Sequence, residues 1–253
     1  MGKLIMNKEK IKVSVICIFN NENQLKKQLK TSLEIQNLDF EWIAIDNSNN
    51  RFRSAAEALN YGSRQSKGDI LIYSHQDIFL KRDNELRKFV EAINECEVGS
   101  IVGTQGVIEP RKVYYSNLTA GTSYNSTIVE DYEEKLYEVS CVDEGFFGMK
   151  KETWNMLQFD EDLCDNWHLY CVEMCLHTRK QGHKVYVYPS QIHHFSMGTI
   201  TLGYMRNLKK MCEVYRKDFK YIWTTCYKVK TNKFYINSLF FVWYLNRKIH
   251  KKL

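Results

Sequence analysis

The chain has 253 residues, 44% of them apolar, with 36 Lys and Arg, 30 Asp and Glu, and two prolines. This is long enough for one sizeable α/β domain with a small appendage, and the composition excludes an extended disordered protein. The charge is uneven: from Arg206 onward 13 basic residues meet 2 acidic ones, a net +11, which leaves −5 on residues 1–205 of a chain whose total is +6.

A basic tail on a mildly acidic body implies an anionic counterpart such as a membrane surface. The eight cysteines, at 17, 96, 141, 164, 171, 175, 212 and 226, form no Cys-x-x-Cys pair. They read as reduced thiols of a cytosolic protein rather than a zinc site or disulfide framework, and the Cys171–Cys175 spacing reads as core packing. Met1–Met6 passes at once into Asn7-Lys8-Glu9-Lys10, with no apolar region of a signal peptide, so a cytoplasmic location is expected.

Lys12–Phe19 is a β-branched run closed by the polar turn Asn20-Asn21-Glu22-Asn23. Leu25, Leu29, Leu33 and Ile35 then fall near a 3.6 period, which predicts a helix over 23–36. Phe40–Ile45 is a second strand, stopped by Asp46-Asn47-Ser48-Asn49-Asn50, and Ser54–Ser66 a helix with a serine cap. Lys67-Gly68 leads into Ile70-Leu71-Ile72-Tyr73, an uncharged run that reads as a strand buried on both faces. That strand ends in Ser74-His75-Gln76-Asp77. Ligands in open α/β sheets bind beyond the carboxyl ends of strands, and an imidazole with a carboxylate there can hold a divalent cation, which in turn can hold a diphosphate.

The β-α-β-α-β order is half of a doubly wound nucleotide-binding sheet. No Gly-x-Gly-x-x-Gly follows the first strand, which argues against a dinucleotide fold and a Walker-type loop alike. Arg82–Ile93 is a predicted helix, Gly99–Val107 a strand, and 108–137 a tyrosine-rich irregular loop over a site. Its Asn117-Leu118-Thr119 and Asn125-Ser126-Thr127 match glycosylation sequons, to which a chain without a signal peptide gives no role. Val139–Lys150 predicts a strand pair, Lys151–Leu157 a short helix, and Trp167–Gln181 a helix closed by Gly182. Lys184–Tyr188 is another strand, and Ile192-His193-His194-Phe195-Ser196-Met197-Gly198 follows Pro189.

In the tail, Phe234–Leu245 is apolar, with lysines on both sides. Twelve residues are too few to span a bilayer, which needs about 20. The stretch suits a helix at a membrane interface, or one packed on the body or on a second subunit.

The segments VSVICIFNNE, WIAIDNSNN, SAAEALNYGSRQSKGDILIYSHQDI, VDEGFFGMKKETW, FDEDLCDNWHLYCVEMCL and KQGHKVYVYPSQIHHFSMG resemble, in this order, the family 2-like glycosyltransferases of GT-A fold. The match is to a bacterial subgroup that writes His-Gln-Asp for Asp-x-Asp, and it covers about residues 12–200. The resemblance implies an α/β class, a Rossmann-like, mostly parallel sheet flanked by helices over 1–205; the charge and aromatic content of the tail add a basic, aromatic helical extension over 206–253. It implies a nucleoside-diphosphate sugar donor, a glycan or polyprenyl-linked acceptor, inversion at the anomeric carbon, and Mn²⁺ or Mg²⁺. The setting would be bacterial surface-polysaccharide synthesis, in the cytoplasm or peripherally on the inner face of the plasma membrane, with no nucleic-acid partner and the oligomeric state open.

Residue by residue, Asp77 would hold the cation. His75 would ligate it or support a ligand, a nitrogen ligand favouring Mn²⁺. His194 resembles the family's late third ligand, with His193 alternating away from it. Asp46 would bond the nucleotide's base or ribose, Phe19 and Asn20 would flank the base, and Arg51 and Arg53 would offset diphosphate charge. Asp143 and Glu144 occupy the acceptor-side loop, and Trp167 offers a face for a sugar ring. The family's Glu-Asp at the start of the late helix is here Tyr170-Cys171, which leaves Asp165 and His168 as acid–base candidates, Asp165 preferred as base. Asp165 would otherwise be a helix cap. The rival readings are a nucleotide-sugar-binding partner without catalysis, a sugar nucleotidyltransferase, which would want a Gly-rich basic loop where this chain has Asn-Asn-Glu-Asn-Gln, and a nucleic-acid binder, which rests on the basic, aromatic tail alone.

Overall fold

The computed structural model describes residues 11–109, 113–124, 132–196 and 198–249. The first ten residues, the 125–127 sequon, Met197 and Lys251–Lys252 lie outside the described residues.

The first strand, β1 (Val13–Phe19), leads into α1 (Glu22–Leu25), a π-helical turn (Lys26–Lys30) and α2 (Thr31–Glu34). The helix expected over 23–36 is thus one helical run with a π insertion, begun by Asn21, whose side chain accepts the Gln24 N–H. Next come β2 (Glu41–Asp46) and α3 (Ala55–Gln65), whose cap Ser54 accepts from Glu57 N–H. β3 (Ile70–His75) is followed by β4 (Ile78–Leu80) and α4 (Glu85–Glu95).

The strand expected over 99–107 is two, β5 (Ile101–Gly103) and β6 (Gln105–Ile108), because the chain changes sheet at Thr104. The stretch 108–137, expected to be irregular, contains β7 (Val113–Ser116) and β8 (Thr119–Ala120) and runs into β9 (Tyr137–Val139). β10 (Cys141–Val142), β11 (Phe146–Lys150), α5 (Lys151–Leu157), α6 (Tyr170–Lys180), β12 (Val185–Val187) and β13 (Ile192–His194) follow. The tail supplies α7 (Leu202–Tyr215), the hairpin β14 (Tyr221–Trp223) and β15 (Lys228–Lys230), and α8 (Lys233–Ile249).

The main sheet runs β2-β1-β3-β11-β5-β12-β9. β1 is parallel to both β2 and β3, and β12 is parallel to β5; β11 and β9 are antiparallel to their neighbours. β3 lies inside it and is buried on both faces. Ile70 and Ile72 join the cluster that contains Leu29 and Phe89, while Leu71 and Tyr73 join the one that contains Phe147 and Met174. Each such side chain stabilises the fold by about 1.5–3 kcal/mol relative to exposure. Gly68 admits the strand: a Cβ there would lie 2.5 Å from the Ser14 backbone nitrogen, so only glycine fits.

The boundary expected at 205/206 falls within α7. Met205, Leu208, Met211 and Cys212 of that helix are buried in the same cluster as Leu71, together with Ile222, Val229 and Ile236 further along the tail. All eight cysteines are free, and all but Cys226 are buried.

Two local features carry stability predictions. Gln158, exposed after α5, holds φ 44° and ψ 161°, a conformation that suits glycine. Gln158→Gly is expected to stabilise the protein by about 1 kcal/mol, read as a higher urea midpoint. Glu173 in α6 is 1% exposed; the Tyr215 hydroxyl donates to its Oε1 at 2.5 Å, and Oε2 has no hydrogen-bond partner among the described residues. Burial raises its pKa from the ordinary 4.5 to about 7. The folded state therefore keeps a proton that the unfolded chain releases, and stability falls as the pH rises through that window. Urea midpoints measured across the window should fall with pH in the native protein and flatten in Glu173→Gln.

Candidate functional site

The site forms where β3 runs out. Beyond His75 the chain turns through Gln76-Asp77 into β4, and β13 pairs antiparallel with β4 so that His194 lies opposite Ile78. The Phe195 N–H donates to the Asp77 carbonyl at 2.9 Å and ties the two edges together. β13 is held in turn by Glu85, a buried carboxylate that accepts the Gln191 N–H at 3.1 Å. One ligand-capable atom each of His75, Asp77 and His194 lies within 4.8 Å of the others.

The partners of each group define its role. His194 Nε2 is 3.3 Å from Asp77 Oδ1 and 3.0 Å from Ser196 Oγ. His75 Nε2 is 2.9 Å from the Tyr170 hydroxyl, which itself donates to the Glu144 carbonyl. With its proton on that carbonyl the hydroxyl accepts from His75 Nε2, the tautomer that leaves Nδ1 its lone pair. His193 is turned away: it is buried, its Nε2 donates to the Gly121 carbonyl, and its Nδ1 accepts from Thr119.

Burial acts to raise the Asp77 pKa, but the hydrogen bond and charge of His194 outweigh it and hold the carboxyl at about 2. Burial acts the other way on His194, where the Asp77 carboxylate outweighs it and raises the pKa. His75 is lowered, by burial first and by the charge of His194 second. Two imidazoles and an ionised carboxylate, half-buried and converging, fit a divalent transition-metal ion better than Mg²⁺.

Two cavities meet at this triad. One, of about 320 Å³, is lined by Phe19, Asn20, Asn47, Asn50, Gln76, Asp77 and Trp167 as well as His75. The other, of about 540 Å³, is lined by Asp143, Glu144, His168, Tyr204, Thr225 and Arg247 together with His75 and His194. His75 is a wall of both.

Phe19, Asn20, Asp77, His75, His194, Asp143, Glu144 and His168 are therefore brought together around one junction. Trp167, expected to offer a face to a sugar ring, stands in the wall of the smaller cavity beside Asn20 and Asn47. Four expected residues line neither cavity. Asp165 is exposed and paired with Lys210 at 2.6 Å. It caps no helix either: α6 begins at Tyr170, not 167, after Leu169 takes φ 67° and gives its N–H to Glu144 Oε2 at 2.8 Å. Asp46 is exposed and accepts from Ser48 N–H in a turn, which lowers its pKa. Arg53 is exposed beside Glu57, and Arg51 lies over the Phe52 and Tyr61 rings.

Acid–base capacity sits with Glu144 and His168. Burial, then the charge of Asp143, pushes the Glu144 carboxyl well above its usual range. Its Oε1 is 3.9 Å from His168 Nδ1, and burial lowers the His168 pKa. Asp143 has both oxygens engaged, one by Gly145 N–H and one by the Thr225 hydroxyl.

Several residues of the site escaped the sequence reading. Gln76 accepts both the Asn20 and the Asn21 N–H at 3.0 Å and donates to Asn20 Oδ1 and Gln24 Oε1, clamping the loop after β1 to the turn after β3. Its place between His75 and Asp77 was the available signal. Asn47 braces its loop through both the N–H and the carbonyl of Phe52, but one asparagine in an Asn-rich run gives no such sign. Tyr170, Thr225 and Arg247 come from distant segments, and no local pattern marks them.

A family model described as "Glycosyltransferase like family" matches residues 14–227. No curated protein matches the sequence. Among solved structures the chain is similar to GalNAc-T7 with UDP, GalNAc and Mn²⁺, at 12% identity and TM-score 0.57, over 81% of this chain and 48% of that one. It is similar to the mannosyltransferase PcManGT of Pyrobaculum calidifontis in complex with GDP-Man and Mn²⁺, at 15% identity and TM-score 0.53, over 83% and 64%. S. aureus TarS aligns at 13% identity and TM-score 0.52, over 85% and 41%. The chain thus spans less than two thirds of each of these proteins, and the likeness is one of fold, the GT-A architecture.

Proposed function

Because the chain belongs to this glycosyltransferase-like family, we propose that it is a metal-dependent transferase moving a sugar from a nucleoside diphosphate to a hydroxyl of a glycan or lipid-linked glycan. The observation that carries the reading is the position of the triad between two cavities: one ligand set touches both. The nucleotide sugar occupies the smaller cavity, with Phe19 and Asn20 beside the base and Gln76 fixing their loop. The acceptor occupies the larger one. The UDP and GDP-Man bound with Mn²⁺ in two structures of like fold support this reading.

His75, Asp77 and His194 would hold Mn²⁺, with Mg²⁺ the poorer fit to two imidazoles. When bound, the ion supplies positive charge where the diphosphate gains negative charge as the sugar departs. Tyr170 keeps His75 in the tautomer that leaves Nδ1 unprotonated. Glu144, in the wall of the larger cavity, takes the proton of the attacking hydroxyl, and His168 flanks it. A base on the acceptor side of the departing diphosphate supports inversion. Surface-polysaccharide synthesis in a bacterial cytoplasm is the setting to which the His-Gln-Asp motif points.

The test is a panel of nucleoside-diphosphate sugars with and without Mn²⁺, scored by hydrolysis and by protection against heat. One donor hydrolysed only with Mn²⁺ is expected. A donor that protects without turnover would favour a binding partner without catalysis, a reading to which the buried Tyr170-Cys171 in place of Glu-Asp lends weight. Neither effect with any donor would overturn the proposal.

A further inference from the structure

Helix α8 has two apolar faces, and only one is covered. Ile236, Leu239, Phe240 and Trp243 recur at helical spacing and pack on the body, and Arg247 continues the row by donating to the Ile200 carbonyl. The other face stays open: Phe234 is 82% exposed, Phe241 61% and Val242 53%, with Tyr235 and Leu245 beside them. A surface helix ordinarily turns charge to water there, and a large open apolar patch marks an interaction surface.

The charge around this face identifies its occupant. No Asp or Glu follows Asp218, while Lys228, Lys230, Lys233 and Lys248 are exposed near the two ends of the helix. A second copy docked face to face would set these like charges against one another with no carboxylate between them. A bare polyanion would leave the aromatic face unused. No helix among the described residues is long and apolar enough to cross a membrane.

We propose that the outer face of α8 docks in the interfacial layer of an anionic membrane. Phe234, Phe241, Val242 and Leu245 enter the upper acyl region, and the lysines meet lipid headgroups. The docking stands on the helix alone. Its consequence rests on the transferase reading: Arg247, on the inner side of the same helix, lines the larger cavity, so docking would hold that cavity against the surface that presents a lipid-linked acceptor.

Flotation of the full chain with vesicles tests this. Binding is expected to phosphatidylcholine vesicles containing about 30% phosphatidylglycerol, much less to phosphatidylcholine alone, and less again at about 0.5 M salt. The double variant Phe241→Ser/Leu245→Ser should bind the anionic vesicles about ten-fold more weakly or worse. Unchanged retention of the variant overturns the proposal, as does failure of the native chain to float with anionic vesicles. So does a native dimer, seen by light scattering, that the double variant dissolves, or vesicle retention that a DNA oligonucleotide abolishes equally in both proteins. Both substituted residues lie outside the two cavities, so heat protection by donor and Mn²⁺ is read in parallel. Docking lost in the variant with donor protection intact assigns the loss to the outer face of α8, whereas a native chain that donor protects but that does not float counts against the membrane site alone.

Discussion

Asp77→Ala is expected to reduce Mn²⁺-dependent turnover of the donor by about 10³-fold or more, the scale reached when a charge-stabilising group is taken from a developing anion. Asp77 is the one carboxylate in a ligand set otherwise made of imidazoles, and its low pKa keeps it ionised across the physiological range. Removing it leaves two histidines whose charges oppose one another. The substitution should therefore abolish Mn²⁺ binding, read directly by the electron paramagnetic resonance of the ion in the absence of donor. The Asp77 side chain is half-buried at a rim rather than in the core, so the thermal midpoint should move by only a few degrees. Turnover within a few-fold of the native rate, in a variant that no longer binds Mn²⁺, would remove the metal from the chemistry.

Glu144→Gln is the second large effect, a fall of about 10²- to 10⁴-fold in kcat with donor KM changed by no more than a few-fold. The carboxamide oxygen can still accept the Leu169 N–H, so the left-handed residue that opens α6 keeps its anchor and the loss reports the proton transfer. Asp165→Ala is the counterpart, expected to leave kcat within a few-fold, since Asp165 is bonded to Lys210 outside both cavities. If Asp165→Ala proved the more damaging, the base would not be Glu144.

That contrast also measures how far the sequence reaches. The Ile-Leu-Ile-Tyr run announced a doubly buried strand, and its alternation between two clusters follows from the two-residue period of a strand. The Ser54 cap and α5 fell where capping and periodicity put them. The long tyrosine-rich stretch reads as irregular because its strands β7 and β8 are four and two residues long, too short for a periodic signal. α6 starts three residues later than its pattern predicts because a leucine with positive φ has no sequence signature; a carboxylate 25 residues earlier holds it in place.

From the sequence alone came the order of strands and helices, the polar turns that end the strands, and a histidine and an aspartate two residues apart at one of them, because these depend on neighbours along the chain. The tertiary structure alone decided that β13 pairs with β4 and so brings His194 to Asp77, that Glu144 faces a cavity while Asp165 faces Lys210, and that α8 buries one apolar face and leaves the other open. Each of those outcomes turns on which side of a strand, turn or helix a side chain leaves by. That side is chosen by pairing with elements dozens of residues away, and no local pattern encodes it.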